Sequence, residues 1–326
     1  MDFSVDVVIP CYKYGKYLKQ CVESVVQQAS VQCRILIIDD ASPDDSAEVA
    51  AGLAATYPNV TFRRHISNKG HIATYNEGIE WSSGDFFLLL SADDYLLPGS
   101  LERAAQVFAE NPGVGMVFGS ALVLFENGAI EEVVPLKRTA ETRIMSGTEF
   151  VAISGSTNIV PTPTAIIRTD LQKRVGGYLP DLPHSGDLEM WIRLATQSQI
   201  GFVKEYQAVY RRHTSNMSSI YTDENIMSDF VQRKKAIYAA FKHDVAGHST
   251  QHIKGRAIRD LAAQALYAAS AEFNRGRIET SQELQRFAID TYPNCRQSMP
   301  WLRLGFKRAI GFQSWRAINS LRTLFQ

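Results

Sequence analysis

Cysteine is scarce: the 326 residues contain four, at positions 11, 21, 33 and 295. They form no CxxC pair and no dense framework, which excludes a disulfide scaffold and makes reduced thiols in a cytosolic protein the simplest reading. Long apolar runs are missing as well. The longest uncharged one, GVGMVFGSALVLF over 113–125, falls short of the roughly 20 residues a bilayer-spanning helix needs. The start, MDFSVDVVIPCYKYGKYLK, has an acid at position 2 and too short an apolar stretch for a secretory leader. Formal net charge is zero, so no overall field draws the chain to nucleic acid. Acids are absent after Asp290, where the basic residues are Arg296, Arg303, Lys307, Arg308, Arg316 and Arg322; to balance these six, the first 290 residues must carry a net charge of −6. What is present is a 45% hydrophobic composition, enough to bury a sizeable core in one large domain or two of ordinary size.

The first hundred residues alternate short β-branched runs with segments of helical spacing, the pattern of repeated βαβ units and a mostly parallel sheet. VDVVIP (5–10), CRILIIDD (33–40), NVTFRRH (59–65) and DFFLLL (85–90) read as strands. KYLKQCVESVVQQ (16–28) places Leu18, Cys21, Val22, Val25 and Val26 on one helical face, and 44–57 and 71–81 read as further helices. Beyond 115, VGMVFGSALVLF, EEVVPL and PTAIIR suggest a mixed continuation of the sheet, and LPHSGDLEMWIRLATQ (182–197) a helix. From about 222 the chain reads as almost wholly helical, which sets the expected domains at 1–221 and 222–326.

Two acid pairs, Asp39 with Asp40 and Asp93 with Asp94, fall just past predicted strand ends, where open α/β sheets bind ligands. Alone, either pair also suits a turn or a helix cap. Their company is more specific: IPCYKYGKYL, IDDASPDDS, NKGHIATYNEGI, SADDYLLPGSL and GGYLPDLPHSGDLEMWIRLA occur in that order. This ordered set, over residues 4 to about 215, resembles family 2 glycosyltransferases, which have the GT-A fold: Rossmann-like, a mostly parallel mixed sheet flanked by helices, here followed by a helical C-terminal region. The resemblance implies inverting transfer of a sugar from a nucleotide sugar, with Mn²⁺ or Mg²⁺ as cofactor.

The resemblance also implies roles. Asp93 and Asp94 would hold the metal and the ribose, with the division of labour open; Ser91 stands where relatives often have a further acid. A hard cation on such carboxylates offsets charge developing on a diphosphate leaving group. Asp40 would accept the N3 proton of uracil, and thymine offers the same proton; Asp39, or either of the two, could instead cap the next helix. Pro10 and Tyr12 would line the base and ribose pocket, Tyr12 stacking there or anchoring its loop. Asn68, Gly70, Asn76 and Gly78 match the third crossover, where Tyr75 replaces a common arginine, and Ala41 and Pro43 depart from the DDGSTD form. Asp187 would be the base that takes the acceptor proton, with Glu189 as fallback; an N-cap or first-turn acid favoured by the helix dipole is the structural alternative. In YRRHTSNMS (210–218), His213 would ligate the metal or meet phosphate, and Arg211, Arg212 or Ser215 would meet phosphate; a surface loop is the alternative. His184 and STNIVPTPTA (156–165) would line the acceptor side.

The tail from Pro300 mixes Trp301, Leu304, Phe306, Ile310, Phe312, Trp315, Ile318 and Leu321 with basic residues. It suits a helix lying on anionic lipid, or one docked on the catalytic domain or on a second subunit. The expected partners are a nucleotide-sugar donor and a glycan or lipid-linked acceptor, with the protein in the cytoplasm or peripheral on the inner face of the membrane. A non-catalytic nucleotide-sugar-binding or scaffold protein is the alternative; a receiver-like domain would account for IIDDAS but leave SADD and GDLEMW unexplained.

Overall fold

The computed structural model describes residues 3–29, 31–136, 142–214, 216, 226–242 and 248–316, apart from the side chains of 248–250. The first apolar runs become β1 (Ser4–Cys11), α1 (Gly15–Val26), β2 (Gln32–Asp39), α2 (Ser46–Thr56), β3 (Val60–Arg64), α3 (His71–Trp81) and β4 (Phe86–Leu89). There follow β5 (Tyr95–Leu96), α4 (Ser100–Glu110), β6 (Val114–Phe125), β7 (Ile130–Val133), β8 (Thr142–Met145), α5 (Gly147–Ser154), β9 (Ile166–Arg168), α6 (Thr169–Val175), α7 (Gly186–Ala195) and β10 (Gln199–Arg212). The remainder is α8 (Ile226–Ala240), α9 (His248–Asn274), α10 (Ile278–Thr291) and α11 (Met299–Ile310).

The strands form one mixed sheet in the order β3-β2-β1-β4-β9-β6-β10-β5, with β7 on β6 and β8 on β10. The parallel ladders join β1 to β2 and β4, β2 to β3, and β6 to β10; β9 lies antiparallel between β4 and β6. Ile35 to Ile38 of β2 are all fully buried, as befits a parallel strand covered on both faces. Leu18, Cys21, Val22 and Val25 of α1 pack into the same core, at the i, i+3, i+4 and i+7 spacing of one helical face. On another approach to the sheet, a Cβ at Gly78 would lie 2.3 Å from Val8 Cγ1, so α3 sits close against β1 only because that residue is glycine. Gly78 therefore serves packing of helix on strand.

The chain runs outward from β1 through β2 to β3, and β4 then takes the other side of β1. That reversal is a topological switch point, with a crevice beyond the carboxyl ends of β1, β2 and β4. The loops there are held in unusual backbone: Lys13 (φ 64°) follows β1 and Ala41 (φ 58°) follows β2, both in the left-handed region, and Lys13 N donates to Ser42 Oγ at 3.0 Å.

Strand β10 is the main element absent from the sequence reading. Its exposed Lys204 and Glu205 and the register shifts between Val203 and Ala208 break the period-2 signal. Tyr210 to Arg212 belong to this strand and His213 is buried, which corrects the surface-loop alternative for that segment. EEVVPL contributes less than expected, since β7 ends at Val133 and is exposed throughout.

The chain forms two compact units, Met1–Phe150 with Asn158–Ser219, and Val151–Thr157 with Ile220–Gln326. In the second, Leu261, Ala265, Leu266, Ala269 and Phe273 of α9 are buried, as are Leu284, Phe287 and Ala288 of α10. Helix α11 buries Leu304 and ties Lys307 Nζ to Ser270 Oγ at 2.6 Å, while Met299, Leu302 and Phe306 are each more than half exposed. No helix among the described residues is long and apolar enough to cross a membrane. The expected boundary at 221/222, and Ser215, Ile318, Leu321 and Arg322, lie outside the described residues.

Candidate active site

Leu90 N donates to Val8 O at 2.9 Å, carrying the β1–β4 pairing one residue further and aiming the next turn, Ser91 to Asp94, at the crevice. Asp93 and Asp94 cap no helix: β5 follows them, and the N-cap of α4 is Gly99. Both are buried. Asp93 Oδ2 lies 3.1 Å from His213 Nε2 and accepts from Asn216 Nδ2 at 3.1 Å; Asp94 Oδ1 accepts from Arg211 N at 2.9 Å. Burial, then the neighbouring Asp93 charge, push the Asp94 carboxyl well above the ordinary carboxylate range, against the opposing pull of Arg211. The Arg211 guanidinium is spent on the protein: it donates to Asp93 O and Gln20 Oε1 and lies over the rings of Tyr17 and Tyr95 at 4.8 and 4.9 Å. The His213 ring stacks on Tyr17 (centroids 5.4 Å apart, planes at 20°) and meets Tyr14 edge-on.

Among the described residues no three His, Cys, Asp or Glu side chains gather closely enough to hold a metal ion by themselves. The residues do fit a cation that draws other ligands from a nucleotide: two buried adjacent carboxylates leave surplus negative charge, with His213 beside them. Carboxylates suit Mg²⁺ and Mn²⁺, and such ions commonly take one or two of them together with substrate phosphates.

At the end of β2 the two acids have separate partners. Asp39, fully buried, accepts from Ser42 N at 3.2 Å and pairs with Arg64 Nε at 3.1 Å, closing the turn. That burial leaves the receiver-like reading no accessible carboxylate at Asp39. Asp40 Oδ1 lies 2.6 Å from His65 Nδ1 and accepts from Lys69 N at 2.7 Å, while Oδ2 accepts from Gly70 N at 2.9 Å. These contacts occupy three of its roughly four acceptor positions, leaving about one for a base N–H. Asn68 Oδ1 turns back to Gly70 N at 3.0 Å, so it shapes this loop. Pro10 pairs with Ile38 within the β1–β2 ladder, and Tyr12, 40% exposed, carries Lys13 Nζ 5.1 Å from its ring centre.

Asp187 lies in the first turn of α7, whose N-cap is Ser185. Its Oδ2 accepts from Thr162 Oγ1 at 2.7 Å. Burial pushes the carboxyl up; Thr162, His71, Tyr178 and His184 oppose that in part. Asp187 keeps partial exposure, whereas Glu189 is buried and bound to Arg193 at 2.8 Å, which makes the fallback base a structural ion pair. Thr162 stands in a 3-10 turn, Thr162–Thr164, within the STNIVPTPTA stretch. Asn76 clamps the backbone of Tyr178, donating to its O at 2.9 Å and accepting from its N at 2.7 Å.

Tyr75 links the two acidic centres. Its ring meets those of His71 and Tyr178 edge-on, each at 5.4 Å, and burial, then the charges of Asp187 and Asp93, hold its phenol far above its ordinary value. The charges of Asp187, Asp93 and Asp94 are thus all felt at the Tyr75 phenol. Tyr14, Tyr17 and Asn216 were missed by the sequence reading, although the aromatics of IPCYKYGKYL were a signal that the first loop packs on something.

A protein of Mycobacterium tuberculosis is 28% identical over 219 residues, which is 65% of this chain and 67% of its own length. TarS residues 1–349 from S. aureus, solved with UDP, superpose with a TM-score of 0.64 at 16% identity, covering 99% of this chain and 92% of that one. The mannosyltransferase PcManGT from Pyrobaculum calidifontis, solved with GDP-Man and Mn²⁺, superposes at 0.56 with 15% identity, covering 97% and 84%. At these identities the structural likeness establishes the GT-A fold. The family model Glycosyl transferase family 2 matches residues 6–173, and the chain belongs to that family.

Proposed function

We propose that the protein transfers a sugar, with inversion, from a nucleoside diphosphate donor, a UDP-sugar in the favoured case, to a hydroxyl of a glycan or lipid-linked acceptor in cell-surface polysaccharide synthesis. The observation that carries this reading is the buried Asp93 and Asp94 pair past the end of β4, with His213 and Asn216 each 3.1 Å from Asp93. On this reading Asp93 and Asp94 form the metal and diphosphate end, and Asp187 is the base. In the reaction, the acceptor oxygen bonds to the anomeric carbon and its proton passes to Asp187, while the bond to the diphosphate breaks and the electron pair leaves with phosphate. A divalent cation on Asp93 and Asp94, with His213 adjacent, would stabilise that leaving charge. The UDP and the GDP-Man with Mn²⁺ named for TarS and PcManGT support this class of donor and cofactor. Asp40 at the end of β2 would meet the base, with Pro10, Tyr12 and the Asn68 loop around it.

In the helical region, Met299, Leu302 and Phe306 beside Arg303 support a peripheral contact with an anionic lipid surface, where a lipid-linked acceptor would be met. The test of the main reading is release of nucleoside diphosphate from a panel of sugar nucleotides, with and without Mn²⁺. Asp187→Asn should keep Mn²⁺-dependent nucleotide binding and lose transfer. Undiminished transfer by that variant would remove Asp187 from the role of base, and no release from any donor would refute the activity.

A further inference from the structure

Besides the acids already described, the crevice wall contains a histidine held between two carboxylates. His65 follows β3 directly, its backbone N donating to Asp39 O at 2.9 Å, and its side chain is 4% exposed. Nδ1 lies 2.6 Å from Asp40 Oδ1 and Nε2 lies 2.9 Å from Glu77 Oε2 on α3. Glu77 also faces Arg63 at 3.4 Å and Lys69 Nζ at 3.7 Å, while Arg64 on the adjoining strand serves Asp39. Although burial opposes it, hydrogen bonds from His65 and Arg63 hold the Glu77 carboxyl below its ordinary value, so that partner is anionic. A neutral imidazole has one N–H and would turn its lone pair on one of the two carboxylates. Only with protons on both nitrogens do both contacts become hydrogen bonds.

We propose that His65 is a positioning residue of the donor site: its ring, braced by Glu77, fixes the rotamer of Asp40 so that the remaining acceptor position meets the imide N–H of a uracil or thymine base. This rests on the reading that Asp40 meets the base. Without the imidazole, Asp40 is left with the Lys69 and Gly70 amides, and the donor binds less well. The effect falls on binding and leaves the chemistry at Asp187 untouched.

The test is calorimetric titration of the protein with UDP and dTDP in the presence of Mn²⁺, with donor KM and kcat measured beside it, for wild type, His65→Gln, Glu77→Ala and Asp40→Asn. His65→Gln should bind about tenfold more weakly and raise the donor KM with kcat held. Glu77→Ala, which removes the brace on the ring and leaves the Asp40 contact, should raise the donor KM by less. Wild-type binding in His65→Gln would overturn the proposal. Where His65→Gln does not fold, Glu77→Ala decides: a wild-type donor KM overturns it equally. Asp40→Asn separates the two layers. If Asp40→Asn binds poorly while His65→Gln binds normally, only the His65 role falls; if Asp40→Asn binds normally, the base assignment falls and takes this proposal with it.

Discussion

Thr162→Val tests the base with the least disturbance to its surroundings. The change keeps the shape of the side chain and deletes one hydrogen bond, that from Thr162 Oγ1 to Asp187 Oδ2 at 2.7 Å. Burial already pushes the Asp187 carboxyl up, and Thr162 is the first of the groups that oppose it. Losing its hydrogen bond therefore favours the protonated form further, and the pH at which the base becomes available rises. A hydrogen bond to an ionised group is worth about 1.5–3 kcal/mol, which corresponds to a ten- to roughly hundredfold smaller ionised fraction on the acid side. The assay is kcat against pH at saturating donor and acceptor, read as nucleoside diphosphate release. The acidic limb should move to higher pH in Thr162→Val, the alkaline plateau should stay close to wild type, and Thr162→Ser should restore the limb. Superimposable profiles for wild type and Thr162→Val would refute the assignment of Asp187 as the base whose ionisation limits turnover.

Asp94→Asn should raise the Tm of the nucleotide-free protein at pH 7 by a few degrees and abolish any Tm gain from UDP with Mn²⁺. The sign follows from its raised pKa: folding favours the protonated carboxyl, so that contribution is present below the unfolded value and lost as pH rises through the folded one, whereas an amide keeps the Arg211 contact without the charge. A lower Tm would show that the carboxylate stabilises the site. Ala41→Gly should stabilise by about 0.5–1 kcal/mol in chemical denaturation, because Ala41 sits at φ 58°, where an L side chain costs more than glycine's extra unfolded freedom; no gain would mean the turn relaxes at no cost. Vesicles of phosphatidylglycerol should bring down the full chain and vesicles of phosphatidylcholine should not, with binding lost in a Leu302→Glu, Phe306→Glu double variant. Equal recovery with both vesicle types, or a dimer in scattering that the double variant dissolves, would refute the lipid contact.

The sequence by itself determined the strands and helices that frame the crevice and the placement of acid pairs at the ends of β2 and β4. Those are local signals: alternation or 3.6-residue spacing within one segment, and a charge at the point where an apolar run stops. It could not show β10, because bulges and exposed charges interrupt its pattern, although that strand brings Arg211 and His213 to the acids. Only the tertiary structure decided how each carboxylate is used. Asn216 reaches Asp93 across 123 residues and Thr162 reaches Asp187 across 25. Asp40 and Asp39 are neighbours with the same chemistry, yet one faces His65 and two backbone amides while the other closes a turn with Arg64 and Ser42. The type of each side chain limits what it can do, and its long-range partners set its charge and direction, which no local pattern encodes.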